Sequence, residues 1–160
     1  MMPILMVDDS REDLALATRL FFQCKILNPL RIMHSGQECL DYFGLESDRA
    51  AGTLPCIVLV DLVMKPISGI DVLRKLRDHP AAQGSTLIML SGASDYTMVR
   101  EGYQLGAATF VTKPLTCDEL LRTFKNLRGV SLKSHSDGRL VVPTTADERT
   151  RARERSSAIA

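Results

Sequence analysis

The sequence predicts an α/β fold: one five-stranded parallel sheet with helices on both faces. Three observations lead there. Short apolar runs at residues 3–7, 30–33, 57–60, 86–90 and 107–111 alternate with segments carrying a helical stripe of apolar residues. Most connections between them are short, so each strand returns beside the last through a helical crossover, and the strands run parallel. The run at Ile57-Val58-Leu59-Val60 is continuously apolar and ends on a carboxylate, Asp61. A run of that kind reads as a strand buried on both faces, as helix-covered parallel sheets require.

Taken in order, Pro-Ile-Leu-Met-Val at 3–7 ends on Asp8 and Asp9. Ser10-Arg-Glu-Asp13 has capping-box spacing, with Asp in the usual Glu/Gln place. Leu14, Ala17, Phe21 and Cys24 then form the stripe of a first helix. Leu30–Met33 is a second strand. Ser35-Gly-Gln-Glu38 is a full capping box opening a helix with Leu40 and Phe43 turned inward. Residues 46–55 are small and polar, a loop. After the strand ending in Asp61, Ser68-Gly-Ile-Asp71 again has cap spacing, and Ile70, Leu73 and Leu76 line a third helix. That helix stops at His79-Pro80, because the residue before a proline disfavours the α region. Residues 86–90 form a fourth strand ending on Ser91-Gly92. A weaker helix spans roughly 95–104, with Gly102 inside it, and closes at Gly106. Ala107–Val111 is the fifth strand, ending in Thr112-Lys113-Pro114. Thr116-Cys-Asp-Glu119 caps a last helix carrying Leu120, Leu121, Phe124 and Leu127.

At 160 residues the chain is one domain with a remainder. A net charge of +1 gives no global field toward nucleic acid or an anionic membrane. The start lacks the basic-then-apolar pattern of a signal peptide, and no apolar run is long enough to span a bilayer. A cytoplasmic location is expected. The four cysteines (24, 39, 56 and 117) have no C-x-x-C spacing and read as reduced packing thiols.

Right-handed crossovers place all five strand C-termini on one edge. Asp8, Asp9, Asp61, Ser91 and Lys113 therefore converge from over a hundred positions of sequence. Carboxylates packed together bind protons or attract a cation, and a hard, oxygen-liganded ion such as Mg²⁺ suits them. A cation, an ammonium and a hydroxyl together accommodate a dianionic phosphoryl group. With Asp61 as the attacking carboxylate, the product is an aspartyl phosphate. Each piece alone is commonly a cap, a turn or a loop residue. Their joint occurrence at four strand ends carries the reading.

These residues resemble a known family. Ile-Leu-Met-Val-Asp8-Asp9-Ser, Val-Leu-Val-Asp61-Leu-Val-Met64, Gly69, Leu-Ser91-Gly-Ala and Gly106-Ala-Ala-Thr-Phe110-Val-Thr-Lys113-Pro114 are similar to the receiver domain of bacterial two-component response regulators, over about residues 3 to 128. The resemblance implies the flavodoxin-like doubly wound (βα)5 fold with strand order 2-1-3-4-5. It implies that Asp61 accepts phosphate from a sensor histidine kinase or phosphotransfer protein in a phosphorelay, switching partner binding. Such a domain assists its own phosphotransfer but is a signalling module rather than an enzyme. It further implies that Asp8, Asp9, Asp61 and the Val63 carbonyl hold Mg²⁺. Lys113 and Ser91 would contact phosphoryl oxygens, and Phe110 would be the switch aromatic. The loop after Ser91, the 95–104 helix and the fifth strand would be the responding element.

Three positions depart from the family. Lys65 stands where proline usually follows Met64. Phe110 lacks the hydroxyl of the commoner tyrosine. Val63 is apolar where some members place a polar residue that orients water, so slow loss of phosphate is expected. The 46–55 loop resembles that of single-domain receivers partnering with bacterial phytochromes.

Residues 129–160 lie outside the receiver pattern and contain no output domain. They read as a solvated tail or as an arm pairing with a second subunit through Leu140-Val-Val142. The arginines at 149, 151, 153 and 155 read as solvated rather than nucleic-acid-binding. The alternative function is the receiver part of a DNA-binding transcriptional regulator whose output domain is absent from this chain. A haloacid-dehalogenase-like phosphatase would need D-x-D-x-[ST] where the chain has Asp8-Asp9-Ser10.

Overall fold

The computed structural model describes residues 1–45 and 54–142. Five parallel strands form one sheet: β1 (Ile4–Val7), β2 (Leu30–Met33), β3 (Ile57–Asp61), β4 (Thr86–Ser91) and β5 (Thr109–Thr112), in the order β2-β1-β3-β4-β5. The helices are α1 (Arg11–Gln23), α2 (Gly36–Tyr42), α3 (Gly69–Leu76), α4 (Tyr96–Gln104) and α5 (Cys117–Asn126). This is the doubly wound order expected. The three central strands β1, β3 and β4 are buried throughout, while edge strands β2 and β5 are partly exposed.

Successive strand residues face opposite sides, and this divides the core into two layers. Ile4, Met6, Ile57, Leu59, Ile88, Leu90 and Val111 pack with α1 and α5, where Phe21 and Phe124 meet edge to face at 6.5 Å. Leu5, Val7, Val58, Val60, Leu87 and Met89 pack with α2, α3 and α4. A Cβ on Gly102 would sit 2.0 Å from the Met89 sulfur. The glycine that weakens α4 as a helix is what lets it lie on β4.

Three details differ from the sequence reading. The fifth strand begins at Thr109 rather than Ala107. Gly106 adopts φ +97°, and the Ala107 N–H closes the end of α4 on the Gly102 carbonyl, so Ala107 belongs to that cap. The third helix ends at Leu76, and His79 caps a separate 3₁₀ turn over Pro80–Ala82. Cys24 and Cys117 are joined as a disulfide, whereas Cys39 and Cys56 are buried thiols outside it. Reading all four as reduced packing thiols is thus corrected. Their 93-residue separation hides a Cα–Cα approach of 5.6 Å that only the packing of the fold creates.

Residues 133–139 are exposed, as a solvated tail would be, but residues 129–142 are not without structure. A two-stranded antiparallel hairpin, β6 (Lys133–Ser134) with β7 (Leu140–Val141), folds back on its own chain. The Leu27 N–H donates to the Leu140 carbonyl, and the Leu140 N–H donates to the Lys25 carbonyl. Val142 is fully buried, and the Asn28 amide clasps its backbone at both N–H and carbonyl. The arginines from 149 onward and most of the 46–55 loop lie outside the described residues. No described helix is long and apolar enough to cross a membrane.

Candidate functional site

Sheet register carries the strand ends to one edge. Val7 lies beside Val60, Asp61 beside Leu90, and Ser91 beside Thr112. Asp8 follows β1 directly and Lys113 follows β5. Asp8 is 0% exposed, Asp61 6% and Ser91 2%, while Asp9 is exposed.

Backbone N–H groups fix the carboxylates. Asp8 Oδ1 accepts from Ser10 at 2.9 Å, and Asp61 Oδ1 accepts from Val63 at 3.0 Å. Asp9 Oδ2 accepts from Lys65 at 3.2 Å. The residue that departs from the family pattern thus positions an acidic residue through its main chain. The N-terminus of α3 presses close beneath: a Cβ on Gly69 would meet the Asp61 carbonyl oxygen at 2.1 Å. No residue but glycine fits there without moving the acceptor strand.

Lys113 closes the site. Its N–H donates to the Ser91 carbonyl at 2.9 Å. Its Nζ lies 2.7 Å from Asp8 Oδ2, 2.8 Å from Asp13 Oδ2 and 2.9 Å from Asp61 Oδ2. Burial pushes Asp61 up from 3.8 to about 6. Hydrogen bonds from Lys113 and Val63 resist that rise, and the Asp8 charge adds to it. Burial works against the Lys113 ammonium, but its hydrogen bonds to Asp13, Asp61 and Asp8 outweigh it, and the lysine titrates above its ordinary range. The two partners shift the same way for different reasons: Asp61 is desolvated, and Lys113 is surrounded by negative charge.

One carboxylate oxygen each from Asp8, Asp9 and Asp61 can be chosen so that all lie within 4.8 Å of one another. Three hard oxygen donors, one of them resisting ionisation because of burial and a like neighbour, fit a small divalent cation such as Mg²⁺. Val63 directs its N–H to Asp61, and the residue is 55% exposed. Phe110 is 42% exposed and meets Tyr103 of α4 edge to face at 6.4 Å. Its ring sits outward, on the β5–α4 surface.

Sequence reasoning assigned Asp13 only to the cap of α1. The structure puts its carboxylate on Lys113. A signal was present: a further carboxylate one helical turn after the Asp8-Asp9 pair.

Comparisons with known proteins agree with this architecture. Residues 4–125 match the family model of the response regulator receiver domain. The bacteriophytochrome response regulator RtBRR superposes with a TM-score of 0.73 at 26% identity, over 99% of this chain and 92% of that one. The bacteriophytochrome response regulator AtBRR gives 0.69 at 26% identity, over 79% of this chain and 92% of that one. The two-component response regulator ARR7 of Arabidopsis thaliana is 27% identical over 74% of this chain. The match spans 59% of ARR7, less than two thirds of its length. With its family model matched across the whole sheet, and its acidic residues and lysine gathered at the strand ends, the chain belongs to the response regulator receiver domain family.

Proposed function

We propose that this chain accepts a phosphoryl group on Asp61 within a two-component phosphorelay and passes the signal on by changed partner binding. The observation that carries the reading is the Lys113 ammonium, held within 2.9 Å of both Asp8 and Asp61 beside a three-carboxylate cluster. An Asp61 oxygen attacks the phosphorus of a phosphohistidine. The new O–P bond forms as the P–N bond breaks, and the imidazole nitrogen leaves with the bonding pair. Asp8, Asp9, Asp61 and the Val63 carbonyl would hold Mg²⁺, which supplies charge neutralisation for the transferring group. Lys113 balances the remaining charge, and the Ser91 hydroxyl donates to a phosphoryl oxygen. Phosphorylation adds about −1.5 to −2 charges beside Ser91 and biases α4 and β5 toward a second arrangement, with Phe110 turning inward.

The donor in this reading is a sensor histidine kinase of the bacteriophytochrome class. The likeness to RtBRR, extending over 99% of the chain, supports that choice. The reading keeps a homodimer as an exchange: the 129–142 segment, which pairs with Lys25 and Leu27 of its own chain, would take the same backbone of a second copy. Removing residues 131–160 and measuring mass in solution tests this; a dimer that persists, or a monomer in both forms, overturns it. The module works at the cytoplasmic end of the pathway, with no direct contact to nucleic acid or membrane.

The deciding experiment incubates wild type and Asp61→Asn with acetyl phosphate, with and without Mg²⁺, and weighs the intact protein. One added phosphoryl group is expected on wild type with Mg²⁺ alone. Modification without Mg²⁺, or on Asp61→Asn, overturns the reading. Because Val63 cannot orient a water, the phosphate on wild type is expected to outlast seconds by a wide margin; decay within seconds refutes that part.

A further inference from the structure

Asp13 occupies the third position of α1, where a capping box would turn its carboxylate back to the Ser10 N–H. Only half of that box forms. The Asp13 N–H donates to Ser10 Oγ at 3.3 Å, which fixes the backbone. The Ser10 N–H is taken instead by Asp8 Oδ1 at 2.9 Å. Asp13's carboxylate is therefore free of its local partner, and it reaches across a sequence separation of 100 to Lys113 Nζ at 2.8 Å.

We propose that Asp13 is a positioning residue of the phosphoacceptor site, anchoring the Lys113 ammonium over Asp61 while the lysine's other contacts are exchanged. The Lys113 ammonium donates to Asp13 and Asp61 and makes an ion pair with Asp8 at 2.7 Å, so it faces three carboxylates at once. Two of those belong to the cluster that would hold a divalent cation. When a cation engages Asp8 and Asp61 becomes an acyl phosphate, the oxygens of these two carboxylates release the ammonium, which must then be carried onto the incoming phosphoryl oxygens. Asp13 lies outside the cation cluster and keeps its charge and its place on a helix. Lysine is a flexible point charge, and ordering its long side chain carries a rotamer-entropy cost. A carboxylate that holds it in place beforehand removes part of that cost from the step in which phosphoryl oxygens arrive.

The competing account is an ordinary surface ion pair, since the Asp13 side chain is 43% exposed. Such pairs contribute little. This one differs because the same ammonium also contacts Asp8, fully buried, and Asp61, nearly so. A second competing account reverses the sign: a further carboxylate could repel a phosphoryl dianion, and its removal would then tighten binding.

The inference rests on the phosphoacceptor reading, and the test separates the two. The chain has no tryptophan, so beryllofluoride binding in saturating Mg²⁺ is read by ¹⁹F NMR. Asp13→Asn is expected to weaken it about tenfold, a coupling within the range found for directly contacting groups. Mg²⁺ affinity alone should change less than beryllofluoride affinity, since Asp13 is outside the ligand cluster. Asp71→Asn, at the matching position of α3, should leave beryllofluoride affinity unaltered. Initial rates of acetyl phosphate loading complete a double-mutant cycle: Asp13→Asn should slow wild type and leave Lys113→Met unchanged. Unaltered or tighter binding in Asp13→Asn, or an equal slowing in the Lys113→Met background, overturns the inference while leaving the acceptor reading intact. A wild type that ignores beryllofluoride, or an Asp61→Asn that still binds it, overturns the acceptor reading and this inference with it.

Discussion

Two helix starts in this molecule share one sequence pattern and do different work. Ser10-x-x-Asp13 opens α1 and Ser68-x-x-Asp71 opens α3. At α3 the box closes: Ser68 Oγ accepts from the Asp71 N–H at 3.1 Å, and Asp71 Oδ2 accepts from the Ser68 N–H at 3.2 Å. Ser68's hydroxyl and backbone N–H hold the Asp71 carboxyl below its ordinary range. At α1 the neighbouring Asp8 takes the N–H that would have closed the box, and Asp13 turns to Lys113. Whether a capping residue caps or serves the site is thus decided by one competing acceptor. The first helical residues differ too. Gly69 lies under the Asp61 peptide, whereas Arg11 is exposed.

The largest expected effect lies at that last difference. Gly69→Ala should destabilise the fold by about 3 kcal/mol, because the added methyl meets backbone that cannot yield. Arg11→Ala at the same position of α1 should cost almost nothing. Urea unfolding of both variants checks this, and equal losses would break the contrast.

Next comes pH dependence. Asp61's carboxyl titrates near 6 in the fold against an ordinary 3.8, so folding favours its protonated form. The stability tied to that proton is full below pH 3.8 and is lost as pH rises through 6. Asp61→Asn stays neutral, so in metal-free buffer it should exceed wild type by about 2 kcal/mol at alkaline pH, with the gap closing in acid. Thermal melts across that window decide it; a variant less stable than wild type at alkaline pH would reverse the sign.

Smaller effects separate the two caps. Ser68→Ala should cost about 1 kcal/mol of stability and leave phosphoryl chemistry intact. Asp13→Asn should cost less stability than Asp71→Asn while affecting the site more, a dissociation that denaturation and loading rates together reveal. The smallest effect belongs to Arg74, which bridges Asp71 at 2.9 Å and Glu101 at 2.8 Å from a half-exposed position. Arg74→Ala should change stability by less than about 0.5 kcal/mol, and less still in high salt. A larger loss would mean that the α3–α4 contact is firmer than its exposure implies.

Much of the candidate site was legible because its charged and hydroxyl residues end or directly follow a strand that hydrophobic patterning marks. Asp8, Asp61, Ser91 and Lys113 all follow from that rule and from crossover handedness. Asp13 was missed because a Ser-x-x-Asp spacing already has a sufficient local explanation. The partner that overrides it, Asp8 Oδ1, is a matter of side-chain direction. The Cys24–Cys117 pairing and the docking of Val142 on Asn28 were also out of reach, being contacts across 93 and 114 positions.

By itself the sequence determined the five βα units, the parallel sheet and the gathering of acidic residues and a lysine at its carboxyl edge. Those follow from local periodicity and from chirality, which act on every short segment alike. Tertiary structure alone decided which acceptor each N–H and ammonium chose, that the 129–142 hairpin folds onto its own chain, and that Phe110 faces outward. Such choices depend on differences of an ångström between groups brought together only by packing, and periodicity carries no information at that scale.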